Sequence, residues 1–289
     1  YDISDSASAI INNPSNVYDD GVDDVFVTNS YVDASEGASL TSIANQKIAT
    51  DGTTSEIQFR VQDDAQSIAD VLIGSGVALN GASEVEITGG TIDYNEAVAV
   101  QNIVGYDTVD SSYNISDSAG AILGASGDVL GYQGVQDVIA NDVNSAADAL
   151  QIENNPHVTE YNLAASFNDV TGVSVDEALA IVGTAGSSLV ANAVDATTVD
   201  IIDEISDIRT AINNGELGSG SVLESADVHA TVADVADALE IYVGVDTSGA
   251  DSQLDDVVNT FELMESTTGA IDPSVSLSQL TIQEAQAVY

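Results

Sequence analysis

Short runs of alternating apolar and polar residues recur along this chain, and each leads into a stretch with apolar residues at helical spacing. Around Tyr113 and Ile115, and again around Phe59 and Val61, every second side chain is apolar, which predicts a strand buried on one face. Asp5, Asp63 and Asp117 stand just after these runs, and Asp is a residue type that accepts hydrogen bonds from the open amides of a helix start. Ala7, Ile10 and Ile11 then fall on one helical stripe, as do Ala119, Ile122 and Leu123. Clusters of Gly, Asn and Pro, such as NNPSN at 12–16 and GASGD at 124–128, close each unit.

The units repeat. Residues 1–11 read YDISDSASAII and residues 113–123 read YNISDSAGAIL, identical at eight of eleven positions, with a weaker copy, FRVQDDAQSIA, at 59–69. A second element couples a β-branched run to an acidic residue and then Glu-Ala: TIDYNEAVAVQNI at 91–103, VSVDEALAIV at 173–182 and LTIQEAQAVY at 280–289. Strands are expected near Ile3, Val25, Phe59, Glu86, Ile115, Val138 and Tyr161, in steps of 22, 34, 27, 29, 23 and 23 residues. Each step is long enough for a strand, a crossover helix and a return beside the starting strand. The expected fold is therefore α/β: strand–helix units stacked as a short solenoid or layered parallel sheet.

The pattern blurs after about residue 165. Segments 176–214, 231–243 and 253–264 read mainly at helical period, so a repeat region over 1–165 and a helix-rich region over 166–289 are expected.

Composition changes the picture in one respect. Against 48 Asp and Glu stand three cations, Lys47, Arg60 and Arg209, so the formal charge is 3 − 48 = −45. Salt bridges cannot organise such a fold, and its carboxylates must be solvated, held by backbone amides or bound to external cations. Phosphate recognition needs clustered basic residues, and three against 48 acidic ones are too few, so nucleic acid is not an expected partner. No apolar run reaches 18 residues, so no membrane insertion is expected. The hydrophobic share of 44% is enough for a core, and the scarcity of aromatics makes it an aliphatic one. Absence of Cys rules out disulfides. The first residue is Tyr rather than Met, and a processed or excised product is expected.

The YxISDSAxxI and xTxxEAxAV elements resemble repeats of very large exported bacterial proteins, namely surface-layer-like and haemolysin-type calcium-dependent repeat proteins and giant adhesins. The resemblance spans about residues 1–182 and the last ten. It implies secretion, calcium dependence and an architectural role at the cell surface. The GGxGxDxUx nonapeptide of haemolysin-type calcium rolls is missing, so that mode of calcium binding does not carry over.

Calcium remains the expected ligand on chemical grounds, because a hard cation suits oxygen-rich clusters. The two candidate metal sites are Asp19, Asp20, Asp23 and Asp24 around Gly21, and Asp246, Asp251, Asp255 and Asp256 in a loop with Gly249 that enters a helix. Neither matches the EF-hand spacing, and a solvated acidic loop explains each as well. His157 and His229 are the only imidazoles, too few for a zinc site, and are expected as turn or surface residues. No nucleophile elbow or phosphate loop occurs.

These readings converge on an extracellular structural protein rather than an enzyme, stabilised by divalent cations and self-associating into a filament or surface layer. Its expected partner is a copy of itself, the Tyr1–Ile11 region of one chain meeting the Leu280–Tyr289 region of another. The alternative is an adhesin repeat module binding a glycan or a cell-surface partner.

Overall fold

The computed structural model describes residues 1–263 apart from 20, 52–56, 75–78, 80, 104–105, 108–109, 184–188, 233–240 and 242–253. All seven expected strands form: β1 (Ile3–Asp5), β2 (Val25–Val27), β3 (Ile57–Asp63), β4 (Ala82–Ile92), β5 (Ser112–Ser118), β6 (Val135–Val143) and β7 (Glu160–Leu163). They pair in sequence order into one seven-stranded parallel sheet. Helices fill the crossovers: α1 (Ala7–Asn12), α2 (Ala34–Asp51), α3 (Ala65–Gly74), α4 (Tyr94–Gln101), α5 (Ala119–Leu123), α6 (Gly127–Leu130) and α7 (Ala146–Glu153).

The register stacks like on like. Ile3 lies opposite Val25 and Val25 opposite Ile57, while Ile92, Ile115 and Val138 form a second row. The helices bury small apolar faces, Ala65, Ile68 and Ala69 in α3, which packs against β4, and Ala146, Ala149 and Ile152 in α7. Alanine at such positions lets each helix approach its sheet closely. Burial of each Ile or Val stabilises by roughly 1.5–3 kcal/mol, so cohesion is spread over many thin layers.

All-parallel sheets are ordinarily covered on both faces. Strand β3 shows the alternation of a sheet with one wet face: Ile57, Phe59 and Val61 are buried, whereas Gln58, Arg60 and Gln62 are exposed.

The second half differs from the helix-rich region expected. Its described part continues the strand–helix alternation in a four-stranded parallel sheet of β8 (Thr171–Val173), β9 (Asp200–Glu204), β10 (Asp227–Val232) and β11 (Thr260–Leu263), again in sequence order. Between them run α8 (Val175–Val182), α9 (Ile205–Asn214) and the short α10 (Leu254–Val257). Apolar residues at 199, 201, 202, 205, 208 and 211 suit a helix throughout, yet Val199 and Ile201 are buried by alternation and Ile202 is 45% exposed, so 200–204 is strand. Thr231 and Val232 end β10, inside the segment expected as a helix, and 233–240 lies outside the described residues. The 253–264 segment divides at Asn259 into α10 and β11. By contacts the chain separates into two compact units, Tyr1–Asn141 with His157–Glu160, and Asp142–Pro156 with Tyr161–Tyr289. Among the described residues no helix is long and apolar enough to cross a membrane.

Candidate functional site

The repeated aspartates do something other than cap the helices that follow them. That task falls to the next residue: Ser6 Oγ accepts from Ala9 N–H at 3.3 Å, Asp64 Oδ1 from Ser67 N–H at 3.0 Å, and Ser118 Oγ from Ala121 N–H at 3.3 Å. Asp63, Asp117 and Asp203 bridge between units instead. One oxygen accepts the N–H of the next residue, at 2.9, 2.7 and 2.8 Å. The other accepts the first amide of the helix one unit earlier: Ala34 N–H at 3.0 Å, Tyr94 N–H at 3.2 Å and Val175 N–H at 2.9 Å. Asn29 does the same for Ala7 and Asp169 for Ala146, at 3.0 and 2.9 Å.

Each such helix start is thus held twice, from its own unit and from the next. Backbone amides at a helix N-terminus carry partial positive charge, so a carboxylate there is satisfied without a basic residue. The amides of Ser67 hold Asp64 below the usual carboxylate range, with help from the Ser67 hydroxyl, and the Thr197 amide does the same for Asp195. Asn29, Asp169 and Asp203 were not singled out from sequence. The signal that finds them is spacing, 22, 23 and 28 residues beyond the helix start they serve.

The wet face of the seven-stranded sheet is the most organised polar surface. Arg60 stands opposite Glu84 in the β3–β4 register, with Nη1 3.6 Å from Glu84 Oε2. Its guanidinium lies 4.5 Å from the Tyr31 ring centre, and Tyr31 Oη donates to Glu84 Oε1 at 2.8 Å. The bond to Glu84 pushes the Tyr31 hydroxyl up to about 12. Gln62 Nε2 donates to Glu86 Oε2 at 2.8 Å, and Asn141 Nδ2 to Ser116 Oγ at 2.8 Å, so amides, hydroxyls and carboxylates form a grid across strands.

The described residues of the first expected calcium cluster lie in the loop between α1 and β2. Asp19 Oδ1 accepts from Gly21 N–H at 3.1 Å, and Asp19 and Asp23 are exposed. Asp24 supplies a backbone carbonyl to Ile3 N–H, and Asp20 lies outside the described residues. The fully buried Lys47 of α2 sits beneath this loop, its Nζ 3.5 Å from the Asp19 carbonyl. Of the second cluster Asp246, Asp251 and the side chain of Asp255 lie outside the described residues, and Asp256 is exposed. Among the described residues no three His, Asp or Glu side chains converge as a metal set. A recess of about 310 Å³ in the second unit is lined by Asp176, Asp203, Asp207 and Glu216 with Ser174 and Asn214.

Both histidines are part-exposed, and His157 lies in a turn as expected. His229 lies on β10, its Nε2 3.1 Å from Asp200 Oδ1 and 3.5 Å from Asp227 Oδ2. His157 packs over α6, where a Cβ on Gly131 would meet its ring at 2.5 Å.

No protein-family model, curated protein or solved structure matches this chain.

Proposed function

We propose that this chain is a structural repeat protein of the cell exterior, self-associating and stabilised by divalent cations, with no catalytic role. The observation that carries this reading is the recurrence of Asp63, Asp117 and Asp203, each of which ties its unit to the preceding one through a carboxylate–amide bond. Such a stack is extended by repetition, and its charge favours cations at the carboxylates that amides do not occupy. The resemblance to exported bacterial repeat proteins points the same way. Light scattering across protein concentration, in calcium and in chelator, tests it. Mass should rise with concentration and more steeply in calcium, and a 29.6 kDa monomer in both buffers at every concentration overturns it.

The wet sheet face favours the second reading, an adhesin module that meets a glycan. Its amide, hydroxyl and carboxylate grid around Arg60, Glu84 and Gln62 matches the hydrogen-bonding character of sugar hydroxyls. Glycan capture that is lost in Arg60→Ala and Gln62→Ala, with association unchanged, would transfer the function to that face.

A further inference from the structure

We propose that the cavity bordered by the connection from α9 to β10, in the second unit, is a binding site for a neutral saccharide. It uses no residue of the wet sheet face and no contact between copies, so it goes beyond both readings above.

The cavity holds about 700 Å³, within the roughly 300–1,000 Å³ of small-molecule sites. Residues 215–226, which make up most of its wall, contain neither helix nor strand, yet their path is fixed. Leu217 and Leu223 are 3% and 1% exposed and anchor the connection in the core. Turns hold it from within, Ser221 N–H donating to the Gly218 carbonyl and Ala226 N–H to the Leu223 carbonyl, both at 3.1 Å. On the other side stands α10, where Val257 Cγ2 lies 3.6 Å from the place a Cβ on Gly218 would take. Asn259 ties that wall to the start of β10: its N–H donates to the Val228 carbonyl at 2.8 Å and its Oδ1 accepts from Val228 N–H at 3.3 Å. Gly215 (φ +74°) and Gly220 (φ +83°) leave bare backbone along the cavity, and a Cβ at either would meet no atom within 4 Å.

The lining selects the ligand. Ser219, Ser221 and Ser225 bring hydroxyls, which donate and accept, whereas Glu224 and Asp256 bring carboxylates, which only accept. Ser221 Oγ is buried without a hydrogen-bond partner, and Ser219 Oγ reaches Glu224 Oε1 only at 3.5 Å, so the fold itself leaves these hydroxyls little used. No Lys, Arg or His lines the cavity, and an anion would find no counter-charge there on a chain of formal charge −45. A bare cation does not fill such a volume, and among the described residues no side chains converge as a metal set. An apolar ligand would cover the hydroxyls and carboxylates without bonding them. A saccharide answers each point. Its hydroxyls donate to Glu224 and Asp256 and exchange bonds with the serines, and its C–H face suits the half-buried Ile212 and Val257.

Calorimetric titration of the full chain tests the site, with glucose, galactose, mannose and N-acetylglucosamine as probes, N-acetylneuraminate as the anion and spermidine as the cation. At least one neutral sugar should bind with a Kd of roughly 1 mM or tighter. Glu224→Ala and Asp256→Ala, both at exposed side chains, should each weaken it by roughly tenfold or more at an unchanged circular dichroism spectrum. A methyl glycoside that binds as well as the free sugar identifies the ligand as a glycan end, and loss of binding on methylation identifies a free sugar; the site stands in either case. No binding by any of the four neutral sugars, tighter binding of N-acetylneuraminate or spermidine, or sugar binding unchanged in either variant overturns it. Sugar binding that is instead lost in Arg60→Ala belongs to the wet sheet face, which overturns this site and leaves the adhesin reading standing.

Discussion

At the scale of single residues, the central fact is that an acid-rich chain satisfies many of its carboxylates with backbone amides. Asp117 illustrates the case, since its two oxygens serve two different units. Asp117→Ala should therefore cost about 1–2 kcal/mol, the range of a lost helix cap, in chemical unfolding. Asp117→Asn should recover only part of it, because an amide oxygen can keep the bond to Tyr94 N–H, as Asn29 does for Ala7, while the amide nitrogen cannot accept from Ser118 N–H. Equal losses in the two variants would show that charge rather than geometry is what matters there. Tyr31 offers a titration on the wet face. Its hydrogen bond to Glu84 favours the neutral phenol and raises its value from 10.0 to about 12. The folded value is raised, so the contribution to stability is complete below pH 10 and is lost as pH climbs toward 12. The difference between wild-type and Tyr31→Phe phenolate absorbance should titrate near 12, and in a Glu84→Gln background nearer the ordinary value; a wild-type difference already centred at 10 would contradict the bond.

At the scale of elements, the unit length and strand positions were legible because burial on one face leaves a period-two trace, and β1 to β7 lie where that trace put them. The cross-unit bonds were not legible, because Asp63-Asp64 and Asp117-Ser118 look like ordinary capping pairs until the neighbouring helix is in place. The misreading after residue 165 has a similar origin. Ile201 and Ile205 belong to a strand and the helix directly after it, and their spacing of four imitates one continuous helix. Of the expected calcium ligands, sequence shows only that they are near in the chain; convergence depends on loop geometry that composition does not encode. Glycines separate two kinds of position in these units. Gly134 has φ +106°, and a Cβ there would meet Tyr106 Oη at 2.8 Å and the Ser111 carbonyl at 3.1 Å. Gly134→Ala should cost about 1–3 kcal/mol and perturb the stacked Tyr106–Tyr132 pair in near-ultraviolet dichroism. Gly120 in α5 has open space around its Cβ position, and Ser8 stands at the matching place in the first unit. Gly120→Ala should stabilise by about 0.5–1 kcal/mol, a rise of a few degrees in the melting midpoint.

At the scale of the whole molecule, two effects of the −45 charge oppose each other as pH falls. Carboxylates in solvent repel one another at neutral pH, and proton uptake toward the isoelectric point of about 4.1 weakens that repulsion and favours the folded chain. Amide-held carboxylates act in the reverse sense. Asp64 and Asp195 have folded values below 3.8, so their contribution is present above that value and is lost as pH falls through the lower one. Stability should thus rise on acidification from about pH 8 to about pH 5 and fall once the caps protonate. Salt distinguishes the two contributions, because solvent-exposed charges are screened over about 10 Å at 0.1 M whereas short carboxylate–amide bonds are not. Sodium chloride should therefore raise the midpoint at pH 8 and leave the acid limb in place. Calcium at matched ionic strength should raise it further, and chelator should return it to the sodium value. If calcium and sodium act equally at matched ionic strength, screening accounts for the whole gain, and the role of divalent cations in the proposed function falls while the amide-held scaffold stands.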